Sequence, residues 1–158
     1  MSNPVVIDAA PGQSYADISR EFDAPVAAVF RAHADEELFS RWIGPRELSN
    51  RCTHWDFRSG GGYRYEQTDA DGNVYAFRGM FHTVREDELI IQTFEYEGMP
   101  DEVSLDIIRF EELPGGRSRI VDHSVFPSVD VLEGMMAEGM ESGMNEGYEK
   151  LDELLAAQ

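Results

Sequence analysis

Apolar and polar residues alternate from Tyr15 to Phe22, where Ala16, Ile18 and Phe22 share one parity, and this period of two predicts a strand. Asp23-Ala24-Pro25 breaks the alternation, and the period lengthens. Val26, Val29, Phe30 and His33 recur at helical spacing, with Pro25 suited to the start of a helix. Asp35 can cap a second short helix, with Glu36 and Glu37 in its first turn and Leu38, Phe39 and Trp42 along its apolar edge. Gly44-Pro45 ends it.

From Cys52 onward, alternating segments are separated by short turn-forming runs. Strands are predicted at Cys52 to Arg58, Tyr63 to Thr68, Val74 to Arg85, Leu89 to Tyr96, Val103 to Glu111 and Arg117 to Phe126. The breaks at Gly60-Gly61-Gly62, Asp69 to Asn73, Glu86-Asp87, Gly98-Met99-Pro100 and Pro114-Gly115-Gly116 are short, so successive strands should pair antiparallel as a meander. Ser128 to Gln158 reads as one long helix. The expected fold is α+β: a curved, seven-stranded antiparallel sheet wrapped around a long C-terminal helix, with two short helices after the first strand. A twisted sheet gripping one helix leaves room between them for a small molecule.

Composition narrows the class. A chain of 158 residues is expected to form one domain, here residues 15–158 after a flexible lead over residues 1–14. The one cysteine, Cys52, excludes an intramolecular disulfide framework and fits a reducing, cytoplasmic setting. No apolar run approaches the roughly 20 residues of a membrane helix, and no leader pattern opens the chain. The net charge of −18, from 31 acidic against 13 basic residues, argues against nucleic acid or an anionic membrane surface as partner.

The C-terminal segment carries the clearest chemical signal. Met135, Met136, Met140 and Met144 are interleaved with Gly134, Gly139, Gly143 and Gly147. Each helical glycine costs roughly 1 kcal/mol relative to alanine, while methionine fills irregular apolar space. Met136, Met140 and Met144 fall on one helical stripe and are expected to line a cavity. The sheet supplies an aromatic wall to face them: Tyr63 and Tyr65 on one strand, Phe77 and Phe81 (with Tyr75) on the next, Phe94 and Tyr96 on a third. Trp42 is expected at the mouth of that cavity or in the core beneath it. The candidate ligand-binding set is therefore Trp42, Tyr63, Tyr65, Phe77, Phe81, Phe94, Met136, Met140 and Met144.

Other constellations read as structural. His33, His54, His82 and His123 show no metal-ligand spacing, although His82 and His123 lie on long strands that can face a cavity. Cys52 and His54 share strand parity, which permits a thiol–imidazole pair, though a buried structural cysteine is commoner. Asp56 and Arg58 fit an ion pair at a strand end. Gly60-Gly61-Gly62 lacks the Lys-Ser/Thr that follows a phosphate-binding loop and reads as a hairpin turn.

Several runs, in order, resemble a known family. Phe22-Asp23-Ala24-Pro25-Val26 with Val29-Phe30-Arg31-Ala32 resembles the opening of the helix-grip or START-like superfamily, which includes polyketide cyclases and birch-pollen-allergen-like proteins. Arg41-Trp42-Ile43-Gly44-Pro45, Asp56-Phe57-Arg58, Gly61-Gly62-Tyr63-Arg64 and the ending Asn145 to Leu154 resemble its branch of activators of the heat-shock-protein-90 ATPase. That resemblance implies the fold and an internal pocket; the family has no universal catalytic motif to transfer. The expected function is binding of a small hydrophobic ligand, with no cofactor and no metal. The rivals are a cyclase- or hydrolase-type enzyme using the same cavity, and a chaperone-interacting module.

Overall fold

A computed structural model describes residues 3–158. The elements run β1 (Val6–Asp8), β2 (Tyr15–Phe22), α1 (Val26–Ala34), α2 (Glu36–Trp42), β3 (Ser49–Asp56), β4 (Gly62–Thr68), β5 (Val74–Arg85), β6 (Leu89–Tyr96), β7 (Ser104–Leu113), β8 (Arg117–Val125), α3 (Val129–Ala137) and α4 (Met140–Ala156). All strands belong to one antiparallel sheet, ordered β1-β2-β8-β7-β6-β5-β4-β3. β3 through β8 form the expected meander, and β2 returns to pair with the last strand.

The sheet has eight strands rather than the expected seven. Within the lead assigned as flexible, Val6, Ile7 and Asp8 pair with Ser19, Ile18 and Asp17 and add an edge strand; Met1 and Ser2 of that lead lie outside the described residues. The second departure is the C-terminal helix, which is two helices. Gly139 adopts φ +93°, a left-handed conformation that interrupts helical hydrogen bonding between α3 and α4. The caps agree with the sequence: Asp35 accepts from the Leu38 amide at 3.0 Å, and Ser128 accepts from the Val131 amide at 3.2 Å.

Two contacts fix α4 against the rest of the fold. A Cβ built on Gly147 would stand 3.1 Å from the Trp42 carbonyl oxygen and 3.2 Å from the Gly44 nitrogen, so glycine there lets the helix touch the backbone at the end of α2. One turn on, Tyr148 stacks on Trp42 with centroids 5.7 Å apart, and Leu151 is fully buried. The core between sheet and helices also takes in Ile18, Phe22, Phe30, Ile90, Phe110 and Ile120.

Candidate functional site

The inner face of the sheet is built by parity. On β7 the residues Asp106, Ile108 and Phe110 point the same way, and their partners on β8 are Ser124, Asp122 and Ile120. Ile18 pairs with Asp122, and Gln92 pairs with Asp106, so both aspartates stand on the core side, flanked by buried Ile18, Ile108 and Ile120. They are diagonal neighbours on adjacent strands, close enough for their carboxyls to meet. Ser124 Oγ donates to Asp106 Oδ1 at 2.7 Å, and Gln92 Nε2 approaches the other Asp106 oxygen at 3.5 Å. Asp122 Oδ1 is sealed from solvent and, among the described residues, has no amide, guanidinium or hydroxyl donor.

Burial is the first cause of a raised pKa in both groups. Asp106 is pushed above the usual carboxylate range, and Asp122 well above it, where the neighbouring Asp106 charge adds to the desolvation. Two desolvated carboxyls in contact cannot both ionise without large repulsion, so the pair shares a proton. Asp106, Asp122 and Gln92 each retain some accessible surface while sitting deep in the fold. Side chains with that combination lie on the inner side of the sheet, facing the helices, rather than on its outer surface.

Beside the pair stands the aromatic wall. Tyr63 stacks on Tyr65 (centroids 6.2 Å apart), Tyr65 on Phe77 (5.1 Å) and Phe77 on Phe94 (5.5 Å), a run across three strands. Tyr63 donates its hydroxyl to the Thr93 carbonyl at 2.7 Å, and its ring covers Gly79, where any Cβ would collide with it. Phe81 is buried among Trp55, Phe57 and Tyr63. Met135, Met140 and Met144 pack over the core from the helical side, half-buried. Met136 is 41% exposed and lies apart from them. Trp42 is 3% exposed, with its indole N–H donating to the Ala32 carbonyl at 2.9 Å, so its surroundings are those of a structural side chain.

The structure therefore stacks Tyr63, Tyr65, Phe77 and Phe94 across three strands, packs Met140 and Met144 against the core from the helical side, and adds Asp106, Asp122, Gln92 and Ser124, which sequence reasoning passed over. The signal was present: Asp106 shares parity with Ile108 and Phe110, and Asp122 with Ile120.

The remaining candidates separate. A bulge between Cys52 and His54 breaks their common parity, so Cys52 lies opposite Tyr65 while His54 lies opposite Arg64 and is exposed. Burial raises the Cys52 thiol to about 11, the reverse of an activated nucleophile. His123 sits on the outer face, 2.7 Å from Asp17, and His82 is exposed beside Thr83. Arg58 Nε meets Asp56 Oδ1 at 3.0 Å in an exposed ion pair. Among the described residues, no three His, Cys, Asp or Glu side chains are placed to hold a metal ion, and no helix is long and apolar enough to cross a membrane. A surface cleft of about 530 Å³ near the end of α4, lined by Asp23, Arg46, Glu149, Asp152 and Leu155, contains none of the expected ligand-binding residues.

The sequence profile of the activator of Hsp90 ATPase homolog 1-like proteins matches residues 23–156. The chain belongs to this family. A protein from Arthrobacter aurescens solved by NMR is similar over 97% of this chain and 92% of its own, at 26% identity and a TM-score of 0.86. A crystal structure from Mycobacterium smegmatis covers 98% and 99% of the two chains at 25% identity, with a TM-score of 0.85. One from Rhodobacter sphaeroides, at 20% identity and a TM-score of 0.88, shares the fold. No protein of curated function matches the chain. Membership in the family agrees with the helix-grip architecture, in which an antiparallel sheet closes on a C-terminal helix.

Proposed function

We propose that this family member binds a small, mostly apolar molecule between the concave face of the sheet and the α3–α4 pair. The observation that carries this reading is the desolvated Asp106–Asp122 pair standing beside the Tyr63–Tyr65–Phe77–Phe94 stack. A protein that needed only a core would place apolar side chains there, because burying carboxyls costs stability. Stacked rings provide an apolar wall, and a few polar groups set the orientation of a guest. Met140 and Met144, packed against the core from the helical side, would complete the lining with side chains that adapt to shape.

A second reading uses the same residues as a general acid and base, because two carboxyls sharing one proton can give and take it. A chaperone-directed role, as the family description suggests, has less support: it needs an exposed complementary surface and would leave the buried carboxyls without a purpose. The test is native mass spectrometry of protein purified from its own host, followed by the same measurement on Phe77→Ala. A co-purifying mass that is lost in the variant supports the ligand reading. A folded protein that carries no mass, and binds no hydrophobic fluorescent probe, would end it.

A further inference from the structure

The polar end of the proposed ligand site is specific enough to select among guests, and this inference rests on the interior-ligand reading. Asp106 Oδ1 accepts from Ser124, its second oxygen has the long contact to Gln92, and its carboxyl meets that of Asp122. Asp122 Oδ1, sealed from solvent, has no amide, guanidinium or hydroxyl donor among the described residues, which leaves it the proton shared with Asp106. The pocket thus presents carboxyl oxygens with few donors to serve them, beside the faces of Tyr65 and Phe77. A carbonyl guest brings no donor, a carboxylate would be repelled, and a hydroxyl brings one donor and no charge. A group bearing several N–H donors and a positive charge answers it well, since ammonium–carboxylate contacts are stronger than neutral hydrogen bonds and aromatic faces also attract cations. The net charge of −18 further favours the approach of a cation.

We propose that the guest is an apolar molecule carrying a protonated primary amine, with its ammonium group between Asp106 and Asp122 and its body along Tyr65, Phe77 and Phe94. On binding, the ammonium takes the place of the proton shared by the two carboxyls, and that proton leaves to solvent, so charge balances. The other titratable groups facing the pair are Tyr63, Tyr65 and Tyr148, with Asp17 at longer range. Burial holds the three tyrosines neutral, so the released proton belongs to the pair.

The experiment compares 2-phenylethylamine, 2-phenylethanol and phenylacetate on the intact protein at neutral pH by isothermal titration in two buffers of different ionisation enthalpy. The expected result is amine binding about tenfold tighter than the alcohol, with release of about one proton by the amine and none by the alcohol. Asp106→Asn and Asp122→Asn should each remove the amine's advantage while leaving the alcohol's affinity within about twofold. The wild-type proton count stands without the variants if either fails to fold. Equal binding of amine and alcohol, without proton release, would overturn the ammonium assignment and leave the ligand reading intact. No binding of any of the three would count against both.

Discussion

At the scale of single residues, two buried titratable groups pull stability in opposite directions with pH. Asp122 has a folded pKa raised well above its ordinary value by burial. The stability tied to its protonated form is fully present below the unfolded value and is lost as pH rises through the folded one. Asp122→Asn keeps the shape and removes that loss, so the variant should unfold at a higher temperature than the wild type at neutral and alkaline pH, with the difference vanishing toward pH 4. His33 works the other way. It is buried against Trp42 and Phe110, its Nδ1–H donates to the Val29 carbonyl at 2.8 Å, and desolvation lowers its pKa to about 4. Its neutral form stabilises the fold above pH 6.5, and the contribution falls away as pH drops from 6.5 through about 4, by roughly 3 kcal/mol in all. Denaturant titrations of the wild type and His33→Gln between pH 4 and 7 should show the slope in the first and its absence in the second. The helical spacing of His33 was readable from the chain, as was the parity of Asp106 and Asp122. Their burial was harder to read, because Leu105 and Ile107 offer β7 a second apolar face and period two alone does not say which side meets the core.

At the scale of elements, the glycines of the C-terminal segment prove to have different jobs, and alanine separates them. Gly139 stands at φ +93° with open space around it, so Gly139→Ala should destabilise by about 1–2 kcal/mol through backbone strain alone. At Gly143 the nearest atom is a Pro45 carbon at 3.7 Å, an ordinary contact inside a helix; Gly143→Ala should stabilise by about 1 kcal/mol. Gly147 touches the backbone of α2 and its exit, so Gly147→Ala should destabilise by about 1–3 kcal/mol through overpacking. Thermal unfolding of the three variants gives fall, rise and fall. A uniform rise would mean that all three sit in one unbroken helix with room around it. Sequence periodicity placed the strand meander and both short helices well, because turn residues punctuate each. It merged α3 and α4 because a glycine within a helical pattern looks the same whether it is tolerated or used to break the helix. It passed over β1 because three residues cannot display an alternation.

At the scale of the whole molecule, the proposed ligand site depends on how firmly the last helix is held to the sheet. Arg20 on β2 is 2% exposed, and its guanidinium reaches Asp152 on α4 through two bonds of 2.7 and 2.6 Å. The same group lies over the rings of Phe22 and Tyr148 at 4.7 and 5.8 Å, and its Nε has no partner. Among the described residues Asp152 is the one carboxylate bonded to this buried cation, so Asp152→Ala leaves the charge uncompensated and should cost about 3–5 kcal/mol. Replacing both residues by apolar ones, Arg20→Met with Asp152→Leu, removes the charges together and should recover most of that loss. The double variant keeps packing but gives up the fixed bidentate geometry that orients α4. If α4 forms a wall of the proposed ligand site, binding of a hydrophobic probe should weaken in the double variant even where urea unfolding shows stability restored. Restored stability with unchanged probe affinity would place the ligand away from α4, on the α3 side of the sheet. A double variant as unstable as Asp152→Ala would mean that the stacking of Arg20 on Phe22 and Tyr148, rather than its ion pair, holds the helix.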